Sequence, residues 1–283
     1  TVATFRPLRL GMLTRFYKRN HRRAIVIDGA VGYTGGMAVG DEWLGEARGP
    51  EEWRDTMVRT TGCLARDLQS HFAEDWAAVT GEILVGAGFY PRREPGGEDG
   101  GVRHTAVASS PGAEQHPMRY FFLLSFLAAR RTLYVASPYF VPDRHTREAV
   151  ASLARQGVDV RILLPNHHTD AKPIRMASHS YYDELLSAGV RIFEYQPTMM
   201  HAKLTVVDGC WSVVGSANMD IRSKELNEEN ALGILDPGLA QAIQATFLAD
   251  LERAREIRLD QWRRRGVGQR VLERICVLFA EQF

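Results

Sequence analysis

The chain has few of the residues that staple small domains together. Its three cysteines, Cys63, Cys210 and Cys276, form an odd and widely spaced set. That argues against a disulfide framework and offers no zinc-ligand spacing; reduced thiols in a cytosol-facing protein are the simpler reading. No sign of charge dominates either: 35 Lys and Arg stand against 34 Asp and Glu, for a formal net charge of +1. This balance argues against a protein that binds nucleic acid with its whole surface. Long apolar runs are missing too. The longest, Met118 to Ala129, is interrupted by Arg119 and falls short of the roughly 20 apolar residues that span a bilayer. No secretory leader is visible, in a chain that starts at Thr1 rather than Met.

What is present suits a globular protein. With 283 residues, 45% of them hydrophobic, the chain can bury cores for two domains of ordinary size. An internal repeat organises it. His21-x-Arg23 is followed by four residues, Asp28, six residues, and Gly35-Gly36; His201-x-Lys203 is followed by four residues, Asp208, six residues, and Gly215-Ser216. Between the matched positions, Ala24 to Ile27 and Leu204 to Val207 read as buried strands. Asp28-Gly29 and Asp208-Gly209 read as tight turns, and Val31 to Thr34 and Trp211 to Val214 as returning strands. Each copy is thus expected to be a hairpin. In extended chain, a histidine and a basic residue two positions on share a face, as a phosphate site requires.

The surrounding segments are unequal. Upstream of His201 the pattern predicts helix 118–130, strand 132–136, helix 144–156, strand 158–163, helix 173–188 and strand 190–195, an α/β order with a largely parallel sheet. Upstream of His21 there are only twenty residues, with Val2 to Phe5 as a candidate strand, so the first unit is expected to be N-terminally truncated. Downstream, the pattern predicts strand 53–59, an amphipathic helix 64–79, a Gly/Pro/Arg/Glu-rich linker over 91–117, and closing helices at 238–255 and 260–283. The expected division is a partial first domain, residues 1–115, and a second, residues 116–283.

The extended second frame, His201-x-Lys203-x4-Asp208-x6-Gly215-Ser216-x-Asn218, resembles the HKD signature of the phospholipase D superfamily. Further stretches resemble its bacterial cardiolipin synthase branch: 19–22, 34–36, 40–43, 53–56, 137–142, 195–197 and 216–223. The resemblance implies two α/β/α sandwich domains about a pseudo-twofold axis, each giving one HKD motif to a shared site. It implies phosphatidyl transfer through a phosphohistidine, cardiolipin being made from phosphatidylglycerol, with no cofactor and no metal. Hydrolysis by water, a nuclease-type phosphodiesterase and a non-catalytic lipid binder are the alternatives. The implied partners are a phosphatidylglycerol-like phospholipid and a membrane surface, without nucleic acid, at the inner membrane of a bacterium.

By the same resemblance His21 is the nucleophile and His201 the general acid/base, with the reverse open. Lys203 and Arg23 hold phosphate oxygens; Ser216, Asn218 and Gly36 line the substrate; Asp55 and Glu229, or its neighbour Glu228, orient the imidazoles. Asp28 and Asp208 complete the motif, with bracing expected of them more than substrate contact. The first copy departs from the family at Arg23, where lysine is usual, and at Ala38, where an asparagine often stands. Arginine's planar fork is not equivalent to an ammonium, so a functional but retuned half-site is expected. Elsewhere, His167, His168 and Asp170 suit a substrate loop better than a metal, and Met199-Met200 suits core packing better than an acyl groove. A C-terminal helix after Trp262-Arg263-Arg264-Arg265 either docks or lies on an anionic membrane.

Overall fold

The structure, a computed structural model, describes residues 1–6, 19–91, 102–110 and 116–278, apart from the side chain of Lys224. The first repeat folds as β1 (Ala24–Ile27), β2 (Val31–Gly35) and β3 (Met57–Thr61), an antiparallel three-stranded sheet backed by α1 (Gly62–Thr80). Leu68 and Ala65 of α1 are fully buried. The hairpin turn follows from its sequence. Asp28 and Gly29 have φ of 54° and 63°, and Ala30 N–H donates to Ile27 O at 3.0 Å. Such a turn needs two left-handed residues, which Asp-Gly supplies at low cost. The second hairpin repeats it, with φ of 52° at Asp208 and 63° at Gly209.

The remaining chain runs β4 (Arg103–Ser109), α2 (Pro117–Leu127), β5 (Thr132–Ala136), β6 (Phe140–Val141), α3 (Arg144–Arg155), β7 (Asp159–Pro165), α4 (Lys172–His179), α5 (Tyr182–Ser187), β8 (Arg191–Tyr195), β9 (Leu204–Val207), β10 (Trp211–Gly215), β11 (Met219–Asp220), β12 (Glu229–Leu235), α6 (Pro237–Glu252), β13 (Ala254–Ile257), α7 (Leu259–Arg263) and α8 (Val267–Leu278). Eight strands form one sheet in the order β13-β8-β7-β5-β9-β10-β12-β4, with β8, β7 and β5 parallel. Alternation along each strand divides the core between its two faces. Leu133 and Val135 of β5 pack with Phe122, Phe126, Val150 and Leu185. Tyr134 and Ala136 face Phe247 and Ile243 of α6, with Leu68 of α1 in the same cluster. The helices therefore form the outer layers of an α/β sandwich. Asp143 caps α3 by accepting from Thr146 N–H at 3.1 Å, and Asp236 caps α6 by accepting from Leu239 N–H at 2.6 Å.

Several expectations need correction. Val2 to Phe5 is not a strand. The strand expected at 53–59 starts only at Met57, because Trp53 to Thr56 cross over to the second half. Residues 103–109, read as linker, form β4, paired along its length with β12; the rest of that linker lies mostly outside the described residues. The helix expected at 173–188 is broken at Ser180-Tyr181. Residues 254–257, the first two of which were expected to end a helix, pair with β8 instead. The last helix is interrupted before Val267. Among the described residues no helix is long and apolar enough to cross a membrane.

Candidate active site

Backbone pairing brings the two half-motifs together. Asn20 bridges to Glu228 and Arg54 bridges to Met200, both in parallel sense. His21 N–H donates to Glu228 O at 2.8 Å, and His201 N–H donates to Arg54 O at 2.7 Å. The residue before each histidine thus lies against the residue before the other half's carboxylate, and the two contacts are related as the repeat would relate them.

The side chains consequently cross. His201 Nδ1 lies 2.7 Å from Asp55 Oδ2, while His21 Nδ1 lies 3.2 Å from Glu229 Oε1 at an angle outside hydrogen-bond geometry. Glu228 faces away from His21, holding Arg6 at 2.9 Å and Ser110 at 2.6 Å. Asp55 and Glu229 occupy equivalent positions: each precedes by one the residue whose carbonyl takes the N–H of Gly36 or Ser216, at 3.1 and 2.9 Å.

Their surroundings differ. Glu229 is fully buried and accepts from Ser216 Oγ at 2.5 Å and Ser223 Oγ at 2.9 Å, with Asn227 Nδ2 at 3.4 Å. Asp55 accepts from Trp43 Nε1 at 3.0 Å and from Thr56 N–H at 2.7 Å. No hydroxyl fits at position 36, since a Cβ there would lie 2.2 Å from Asp55 Oδ1. Gly36 is therefore glycine because the carboxylate occupies the space its side chain would take. Ser216, expected to face substrate, commits its hydroxyl to Glu229.

His201 is enclosed, its side chain 4% exposed against 31% for His21. Trp43 and Trp53 cover it, with ring centroids 5.6 and 5.0 Å away. Lys203 Nζ lies 3.0 Å from His201 Nε2 and donates to His201 O at 2.9 Å. Burial, and then the Lys203 charge, push the His201 imidazolium down to about 4, against the pull of Asp55. Burial likewise pushes Lys203 down to about 7, opposed by Asp55 and Glu229. Near pH 7 the imidazole is neutral. A proton on Nδ1 makes Asp55 the acceptor and leaves the Nε2 lone pair free to take a proton, while Lys203 Nζ, 3.2 Å from Nδ1 and 3.0 Å from Nε2, sits against the ring.

Arg23 reaches the same space. It donates to the carbonyl of Gly36, and its guanidinium lies 5.5 Å from the Trp43 ring centroid. Burial lowers its pKa, with Asp55 and Glu229 opposing. Asn218 is buried with its Oδ1 unpartnered. Asp208 does not join the site. It sits in the turn at the far end of β9 and accepts from the N–H groups of Arg130, Arg131 and Thr132 at 2.7–2.9 Å. Asp28 lies exposed in the equivalent turn. Both are turn residues, which agrees with the bracing expected of them and not with their place in the catalytic motif: four strand residues separate Asp28 from Arg23 and Asp208 from Lys203.

Outside the site residues named from sequence, the structure adds Trp43, Trp53, Ser223 and the Tyr139–Asp170 pair, whose hydroxyl donates to Asp170 Oδ2 at 2.7 Å. All but Asp170 lie in the stretches that carried the resemblance. The His167 and His168 ring centroids lie 4.2 Å apart, with the rings tilted by 35°. Met199 and Met200 are fully buried, Met200 in the core shared with α6.

Residues 124–251 match the family described as "Cardiolipin synthase, PLD-like domain". A cardiolipin synthase of Halalkalibacterium halodurans is 37% identical over 281 residues, 99% of this chain and 55% of that protein. Cardiolipin synthase A of Pseudomonas putida is 40% identical over 253 residues, 88% of this chain and 51% of that protein. The chain thus spans about half the length of the curated relatives it matches. In fold it is similar to the crystal structure of phosphatidylserine synthase from Haemophilus influenzae, with a TM-score of 0.68 and 16% identity over 95% of this chain and 70% of that one.

Proposed function

We propose, for a chain that belongs to the phospholipase D superfamily on its cardiolipin synthase-like branch, that it transfers a phosphatidyl group from one phosphatidylglycerol to the hydroxyl of another. The observation that supports this most is the crossed pair of imidazole–carboxylate contacts, His201 with Asp55 and His21 with Glu229, with Lys203 and Arg23 beside them. In this reading residues 1–115 and 116–283 are the two phospholipase D-like units, with β4 of the first joined to the sheet of the second.

The phosphodiester's negative charge draws it between Arg23 and Lys203. His21, the more open imidazole, attacks phosphorus and forms an N–P bond as the P–O bond to glycerol breaks. His201 gives the departing alkoxide a proton. Its low pKa comes from burial and the Lys203 charge; an arriving anion, with Asp55 behind Nδ1, favours the imidazolium, so the acid forms where substrate sits. The second phosphatidylglycerol hydroxyl then returns a proton to His201 and attacks the phosphohistidine, releasing His21. Cardiolipin and glycerol are the products, at the inner membrane of a bacterium.

The test is an assay on phosphatidylglycerol vesicles with the wild type and His201→Ala, read by mass spectrometry. Cardiolipin and glycerol should form and should vanish in the variant, the loss being at least 10²-fold. Phosphatidic acid in place of cardiolipin would make water the acceptor, and no turnover with intact vesicle binding would leave a lipid-binding protein.

A further inference from the structure

The C-terminal helix α8 is turned the wrong way round for a core helix. At 100° per residue, Val267, Val271, Ile275 and Leu278 fall in one stripe, with Leu272 at its edge. These five are 45–78% exposed. Hydrophobic burial would favour turning this stripe inward, yet the inward side carries Glu273, Cys276 and Val277. Glu273 is only 2% exposed and is held by Arg265 Nη1 at 2.8 Å, Gln269 Nε2 at 3.1 Å and His179 Nδ1 at 3.2 Å. Pulling that carboxylate out of its three contacts would leave buried donors unpaired. The network therefore fixes the helix's rotation and holds the apolar stripe outward.

Charge and position say what meets the stripe. Arg270 and Arg274 border it on the wheel, and both are exposed. From Arg258 to Leu278 there are six arginines and two acids, Asp260 and Glu273, in a protein whose overall charge is near zero. The inward Cys276 and Val277 pack on the small cluster of Val141, Ile174 and Ala177, as does Tyr139, whose hydroxyl feels the charge of Arg23. α8 thus packs on α4, and α4 packs on β6, which follows Tyr139 directly in the chain. An outward apolar stripe edged by arginine, beside a site for a lipid phosphodiester, suits the boundary between headgroups and acyl chains of an anionic bilayer. A protein partner would more often meet mixed charge and a polar rim.

We infer that α8 is a membrane-interface helix: Val267, Val271, Ile275 and Leu278 enter the acyl boundary, and Arg270 and Arg274 contact anionic headgroups, setting the cleft at the bilayer surface. The inference rests on the phosphatidyl-transfer reading only for the identity of the surface.

The test is flotation of the full chain with vesicles of phosphatidylglycerol and phosphatidylcholine in equal parts, and of phosphatidylcholine alone. Val271→Glu/Ile275→Glu should weaken binding to the mixed vesicles by tenfold or more, roughly, with an unchanged thermal midpoint. Arg270→Ala/Arg274→Ala should weaken it roughly thirtyfold, at about 1 kcal/mol per arginine, and only on the anionic vesicles. Neither pair should slow turnover of a short-chain phosphatidylglycerol dissolved as monomers. Unchanged vesicle binding in the glutamate variant would overturn the inference. So would a wild-type dimer that this variant splits, since the stripe would then belong to a second copy. A wild type that turns over no lipid but binds vesicles through the stripe would sink the transfer reading and leave the helix's role intact.

Discussion

The two halves solve one problem, holding an imidazole near a carboxylate, with different side chains. In the second half His201 is sealed beneath two tryptophans and against Asp55 at 2.7 Å. In the first, His21 is open and stands 3.2 Å from Glu229 without good alignment. The supports differ in kind as well: three side chains of the second half converge on Glu229, whereas Asp55 rests on an indole N–H and a backbone N–H. The hairpins that carry them diverge too. All four residues of β9 are buried, with β5 alongside, while Ile25 and Ile27 of β1 are each 50% exposed. A repeat in sequence therefore preserves backbone geometry at the turns without preserving the environment of the groups it presents.

The sharpest way to break this comparison is to remove one carboxylate charge at a time. Asp55→Asn should cost at least 10²-fold in kcat, because it leaves a buried imidazole in the wrong tautomer. Glu229→Gln should cost less in kcat, since His21 is solvated, while lowering stability by about 1–3 kcal/mol as one of its two hydroxyl donors, Ser216 or Ser223, meets an NH2 in place of its acceptor. Steady-state kinetics with thermal melts separates the two. Equal kcat losses would mean that the difference in burial has no catalytic consequence.

A second contrast lies in the cations. Arg23 stays charged at any accessible pH, whereas Lys203 is pushed down to about 7. Its ordinary value in the unfolded chain lies near 10.5, so between these limits the unfolded state binds the extra proton. Stability should rise with pH across that window, the cost of burying the ammonium being greatest below about pH 7. Calorimetric melts from pH 7 to 10 should show the rise in wild type and in Arg23→Met, and a flatter profile in Lys203→Met. A rise that survives in Lys203→Met would assign it to another group.

The smallest expected effect is at the turns. Both aspartates sit at positive φ, where glycine is relaxed. Asp208→Gly nevertheless loses an acceptor for three backbone N–H groups and should destabilise by about 1–3 kcal/mol. Asp28→Gly should be neutral, or stabilising by a few tenths, roughly, of a kcal/mol. Denaturant melts would show this, with kcat unchanged in both variants; a fall in kcat for either would return that residue to the site.

Much of the fold was legible because its signals were local. Asp-Gly turns between β-branched runs announced both hairpins, and apolar periodicity located α1, α3, β5 and β8 to within a residue or two. What escaped depended on partners distant in the chain. β4 reads as polar linker because its strand character comes from pairing with β12. β13 continues the composition of the helix before it and turns to strand only beside β8. Trp43 and Trp53 carried no chemical pattern of their own; their function as a cover exists only once Arg54 is drawn against Met200.

By itself the sequence determined the two His-x-basic frames, their turns and the residue types a phosphodiester site needs, since these follow from spacing and backbone preference along one stretch of chain. Only tertiary structure decided that each histidine would take the other half's carboxylate, that Gly36 must be bare beside Asp55, and that α8 would turn its apolar stripe outward. Each of these is settled by where a buried charge finds its partners, and the cost of leaving such a charge unpaired exceeds any local preference of the chain.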